Sequence, residues 1–238
     1  MYQYIFKGTI HPIRATLAIG PIRQVLETNL SSNHLSIEFS IYSNQLTVYC
    51  DSEDELDIHS LRNLCLNVAN GIVGAIGFYS GIGWTVEITE VLNRELGINY
   101  VYGADIPCLS SRNDNEKISD FFEKTSKFTG SDGRYLERCF SDLQLAITHP
   151  LDTPFYCYRA IESLRHLCRV KYSLDNEDQQ WAKLSEISGK SWNDTALTKQ
   201  YANDARHGDH QDFTSEERQV FLENTWALVE NFINEIEV

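Results

Sequence analysis

Two stretches near the start of the chain, Tyr2 to Ile10 and Leu35 to Tyr49, alternate β-branched or aromatic residues with polar ones, the period of two that predicts strands. Tyr42-Ser43-Asn44-Gln45 interrupts the second stretch with turn chemistry, so it reads as a hairpin. From Leu56 to Tyr79 the period changes. Leu61, Leu64, Cys65, Val68, Ile72 and Ile76 fall at helical spacing behind an acidic start, Glu53-Asp54-Glu55, which suits the positive end of a helix dipole. Gly71, Gly74 and Gly77 recur inside this helix and predict a face that another element approaches closely. A phosphate loop would need these glycines between a strand and a helix, followed by Lys; neither condition holds. Thr85 to Leu92 alternates again, so the first hundred residues or so read as a small sheet with one long helix.

The polar run Ser110-Ser111-Arg112-Asn113-Asp114-Asn115-Glu116-Lys117 marks the best boundary, giving domains 1–110 and 111–238. Beyond it the period is helical, with helices expected near 116–128, 133–148, 153–172, 178–188, 194–207 and 215–236 and no strand. In the last of these Thr214 and Glu217 form a capping box, and Leu222, Trp226, Val229, Ile233 and Ile236 make one apolar stripe. The helix from Pro154 carries Cys157, Ile161, Leu164 and Cys168 in the same way. The fold class expected is α+β: a β-rich N-terminal domain with one long helix, followed by an all-α bundle.

Charge narrows the functional classes. Lys and Arg total 20 against 34 Asp and Glu, a net charge of -14, and that field repels a phosphate backbone at long range. A broad nucleic-acid groove is therefore disfavoured, and RNA is admitted only at a local positive pocket. Six cysteines without a CxxC pair, several among apolar neighbours, read as buried thiols in a reducing compartment. With no window of membrane-spanning length, the expected location is the cytoplasm, without membrane partners. Nucleophile-elbow, Walker, dinucleotide and zincin motifs are all missing, so no cofactor is expected.

Polar chemistry concentrates at Tyr201-Ala202-Asn203-Asp204-Ala205-Arg206-His207-Gly208-Asp209-His210. His207 is a candidate general acid or base near neutral pH, Arg206 a candidate anion holder, and Gly208 fits a helix C-cap. The plainer alternative is that both cationic side chains only favour a helix C-terminus. His207 and His210, with Asp204 and Asp209 beside them, have a spacing a metal could use, but two histidines in a polar turn are more often solvated, and no metal is assigned. On the helix from Pro154, Arg159, Glu162, Arg165, His166 and Arg169 occupy the side away from the apolar stripe. They form either a solvated face or, together with the Arg206-His207 turn, a small positive pocket.

Tyr158-Arg159-Ala160-Ile161-Glu162-Ser163-Leu164 and Ala202-Asn203-Asp204-Ala205-Arg206-His207-Gly208 resemble HEPN-type helical domains, over roughly residues 115 to 238. In that family an Arg, often followed by Asn, with a His a few residues later forms the site of metal-independent ribonucleases, usually across a dimer; bacterial members belong to toxin-antitoxin and defence systems. Asn203 matches the family's Asn and His207 its His, while Ala202 stands where the catalytic Arg would be. The resemblance thus implies a non-catalytic interaction or ligand-sensing module, forming a homodimer or meeting a protein partner. Asn203, Arg206, His207, Arg159, Glu162 and Arg165 would serve a polar notch for a phosphate-bearing ligand. Two alternatives stand beside it. One is a divergent ribonuclease with His207 as base and Arg206 stabilising the phosphorane. The other is an acidic antitoxin or nucleic-acid mimic.

Overall fold

A computed structural model of the chain describes residues 1–110, 114–207 and 213–237, apart from the side chains of 115 and 192–194. Two compact units divide between Ala104 and Asp105. That division precedes the polar run because Ile106, Cys108 and Leu109, around the short helix α2 (Pro107–Ser110), pack with Phe221 and Leu222 of the second unit.

The first unit is a six-stranded antiparallel sheet. Its strands are β1 (Tyr2–His11), β2 (Ile19–Leu26), β3 (Leu35–Tyr42), β4 (Gln45–Ser52), β5 (Thr85–Asn93) and β6 (Ile98–Val101), in the order β2-β3-β4-β1-β5-β6. The expected hairpin is β3-β4, closed by Ser43 and Asn44 at positive φ, the geometry that matches hairpin twist. Tyr4, Phe6 and Ile10 share a buried face with Ile37, Phe39, Ile41, Leu46, Val48 and Cys50. Helix α1 (Ile58–Ser80) covers this face through Leu61, Cys65, Leu66, Ala69 and Val73. Its cap is Asp57, whose carboxylate accepts from the Ser60 amide, and it ends at Gly81 in the left-handed region. Of the three glycines only Gly77 meets a close neighbour: a Cβ there would lie 2.5 Å from the Ile82 carbonyl oxygen, whereas Gly71 and Gly74 face open space. Strands β2 and β6 escape the alternation rule. They are the sheet edges, β2 interrupted by Gly20-Pro21 and an irregular register, β6 only four residues long, both ordinary protections against edge pairing.

The second unit is all helical: α2, then α3 (Asn115–Thr125), α4 (Gly130–Thr148), α5 (Thr153–Lys171), α6 (Glu177–Ser188), α7 (Trp192–Arg206) and α8 (Ser215–Glu235). The chain as a whole is therefore α+β, with a sheet followed by a bundle. Helix α5 is the axis of the bundle and packs on α4, α6, α7 and α8. It buries Ala160, Ile161, Leu164, Leu167 and Cys168 against Leu136, Cys139, Leu143, Leu184, Val229 and Phe232 of its neighbours, and Cys157 in a second cluster with Ala146, Phe221 and Leu222. Thr214 and Glu217 make both reciprocal bonds of the capping box at the start of α8. Arg218, one residue on, donates from Nε to Thr153 Oγ1 at 2.9 Å and from Nη2 to the Ile147 carbonyl at 3.0 Å. Carbonyls at the end of α4 thereby gain the partners that a helix C-terminus lacks.

All six cysteines are free thiols, and five are buried. Among the described residues no helix is long and apolar enough to cross a membrane.

Candidate functional site

Burial consumes most of the α5 surface, and what remains is a stripe: Phe155, Arg159, Glu162, His166 and Arg169, stepping by four and three along one face. Helix α4 supplies Tyr135 and Arg138 opposite it, and the last turn of α7 supplies Ala205 and Arg206. Together with Asp152, Tyr156 and Ser163 these residues line a cleft of about 870 Å³. Four guanidinium groups and one imidazole thus face two carboxylates, a locally positive site in a chain of net charge -14.

Arg159 is the best-anchored of the four. Its Nη2 lies 2.9 Å from Asp142 Oδ1 on α4, and its guanidinium sits 5.3 Å from the Phe155 ring centre and 5.6 Å from that of Tyr156. Asp142 is 1% exposed. Burial holds its carboxyl above the usual aspartate range, opposed by the nearby charges of Arg159 and Arg138. Its Oδ2 is buried and accepts no hydrogen bond in the described structure.

His166 stacks on Tyr135, with ring centres 6.2 Å apart and planes 25° from parallel. Partial burial, then Arg165 and Arg169, lowers its pKa below the ordinary histidine value, against the opposing pull of Glu162 and Glu177. At neutral pH it is an uncharged imidazole, able to accept a proton or a hydrogen bond.

Of the residues singled out in the sequence, the fold brings Arg159, Glu162, His166, Arg169 and Arg206 together in the cleft. Arg165 is a correction. It is buried on the side of α5 that meets α6, where Nη1 donates to Gln180 Oε1 at 2.6 Å and the guanidinium lies over Trp181 at 5.3 Å. One step of a helical wheel turns it from the notch into the packing interface. Asn203 is half-buried and His207 exposed, and neither is among the residues that line the cleft. The His207 amide closes the last turn of α7 on the carbonyls of Asn203 and Asp204. Ala202 is fully buried. Gly208, Asp209 and His210, the C-cap glycine and the other half of the paired-histidine spacing, lie outside the described residues.

Arg138, Tyr135 and Asp142 were not legible as site residues. The available signal was the spacing of Arg134, Arg138 and Asp142 at every fourth position of α4, a charged row along one side of the helix.

An antiparallel sheet with one covering helix, followed by a bundle with an arginine-lined cleft, defines a two-domain α+β protein. Residues 4–102 match the N-terminal domain, and residues 122–237 the C-terminal domain, of the domain of unknown function DUF8168. Together the two matches span most of the chain, which belongs to that family. No curated protein and no solved structure matches it.

Proposed function

We propose that the helical unit binds a phosphate-bearing ligand without transforming it, and acts as the ligand-sensing or interaction module of a HEPN-like protein in a defence or toxin-antitoxin system. The observation that carries this reading is the convergence of Arg138, Arg159, Arg169 and Arg206 on one cleft of a strongly acidic chain. Such a cluster is costly in self-repulsion and finds its compensation in a multiply charged anion. The non-catalytic form is supported by Ala202, which fills with a buried methyl the position where the family resemblance would place an arginine.

Titration calorimetry with pyrophosphate tests it. The parent chain binds, and Arg138→Gln with Arg169→Gln lowers the affinity at least tenfold, an effect that shrinks with rising salt. Failure of the parent to bind pyrophosphate or any nucleotide at low ionic strength would remove the proposal.

A second reading has its own observation. His166 follows Arg159 by two helical turns, both line the cleft, and the imidazole is neutral at pH 7. In a metal-independent ribonuclease of this geometry His166, in place of the exposed His207, would take the proton of a ribose 2′-hydroxyl, and Arg159 would stabilise the phosphorane. Labelled RNA incubated with the protein in excess chelator separates the two. Cleavage that His166→Ala abolishes and His207→Ala does not would establish the enzyme, and intact RNA leaves the binding module.

A further inference from the structure

Beside the cleft lies a second hollow of about 650 Å³, and Tyr135, Arg138 and Arg159 line both. The second hollow is also lined by Asp142, Ser141, Arg134 and Leu145. One feature within it is unlike the rest. Asp142 binds Arg159 with Oδ1 and leaves Oδ2, buried, without a donor. Buried carboxylate oxygens are ordinarily satisfied, and an unmade bond to a charged acceptor is costly. Arg138, whose charge reaches Asp142, also lines both hollows, and yet neither it nor any other described group donates to that oxygen.

We infer that Asp142 is a specificity residue, whose Oδ2 accepts a hydroxyl of the bound ligand while the arginines hold its phosphate, so that the ligand is a hydroxyl-bearing phosphate ester of the sugar-phosphate class. The inference rests on the reading of the cleft as a phosphate site and adds the second recognition element to it. A carboxylate at the rim of an arginine cluster repels a bare polyanion and rewards only an anion that brings a donor with it. Inorganic phosphate esterified with a plain alkyl group has the charge and lacks the donor, and so isolates the contribution of Asp142.

Titration calorimetry on the full chain with methyl phosphate and ribose 5-phosphate provides the test. The parent is expected to prefer ribose 5-phosphate by about tenfold, the size of one hydrogen bond to a charged group. Asp142→Asn can still accept from Arg159 with its amide oxygen and places a donor where Oδ2 was. It should bind methyl phosphate at least as well as the parent does and hold the two ligands within about twofold of each other. Equal affinities in the parent, or a preference that survives in Asp142→Asn, overturns this inference and leaves the phosphate cleft standing. Binding of neither ligand by the parent overturns both. A 5′-AMP arm tells a free sugar phosphate from one carried in a nucleotide, and a preference for either over methyl phosphate that is lost in Asp142→Asn supports the role of Asp142. The unfolding midpoint of Asp142→Asn at pH 7 is measured alongside, and Leu143→Val, a core change on the same helix that lines neither hollow and is expected to keep the preference, guards against a general loss of packing.

Discussion

Asp142 of α4 and Arg159 of α5 meet at 2.9 Å across the principal helix pair of the bundle, with the acid almost fully buried and the base still partly open to the cleft. The pair links the packing of the second unit to its site. Arg159→Ala would leave a buried carboxylate with Arg138 as its nearest cation, at a cost of about 3 kcal/mol, toward the lower end for a broken buried pair because solvent reaches Arg159. The carboxyl is already held above the usual aspartate range, and removing Arg159 raises it further. A group whose folded pKa is raised binds protons more readily in the folded state, so the deficit of Arg159→Ala shrinks as pH falls from 7 toward 5. Urea unfolding of parent and variant at both pH values measures it, and a deficit that is constant with pH would contradict the assignment to Asp142.

If the cleft binds anions as proposed, His166 should make that binding depend on pH. Its pKa lies below the ordinary histidine value, so the imidazole is neutral at pH 7.5 and gains a proton only on acidification. The groups acting on it are Arg165 and Arg169, which resist protonation, and Glu162 and Glu177, which favour it. Sulfate, whose charge is fixed over this range, should bind several-fold more tightly at pH 5.5 than at pH 7.5, because the cleft has gained a cation. The same titration with His166→Gln should give a flatter profile; an unchanged slope would place the titrating group elsewhere.

In the first unit one side chain holds the start of the chain together. Asn44, at φ 66° in the β3-β4 turn, accepts from the Leu17 amide with Oδ1 and donates from Nδ2 to the carbonyls of Ile10 and Ala15, while being only 3% exposed. Asn44→Ala loses these bonds and places a β-carbon in the left-handed region, with an expected cost of about 3 kcal/mol. Asn44→Gly keeps the backbone conformation and should cost roughly 1 kcal/mol less. Chemical unfolding followed by sheet circular dichroism distinguishes the two; similar stabilities would mean that the φ angle contributes little.

The thiols are built for packing. Burial pushes Cys157 and Cys168 up to about 12 and raises Cys139, while a hydrogen bond with Cys50 and burial raise Cys65, so almost no thiolate forms at these four sites at pH 8. A thiol reagent at that pH should modify native protein at Cys108, the one cysteine that is not buried, and modify all six only after denaturation. Rapid reaction of more than one thiol in the native state would show that the bundle core opens.

Local pattern alone determined the elements: the hairpin from Tyr42-Ser43-Asn44-Gln45, the long helix α1 from its apolar spacing, the capping box at Thr214 and Glu217, and the ordering of a sheet before a bundle. These follow from periods of two and 3.6 and from turn and cap chemistry, which act between residues close in sequence. Edge strands β2 and β6 were illegible because an edge is defined by the absence of a neighbour and tolerates Gly20-Pro21 and short length. The candidate site was half legible. Arg159, Glu162 and Arg206 could be singled out as charges on helices, but their meeting depends on α5 and α7 packing side by side. Only tertiary structure decided that Arg165, six residues beyond Arg159, turns into the core, that His207 is not among the residues lining the cleft while His166 is, and that α4 supplies Arg138 to the cleft and Asp142 to the hollow beside it. The physical reason is that a cleft between helices is made by side chains from chain segments tens of residues apart. Helical periodicity tells which residues share a face and leaves open which face remains uncovered once the bundle has packed.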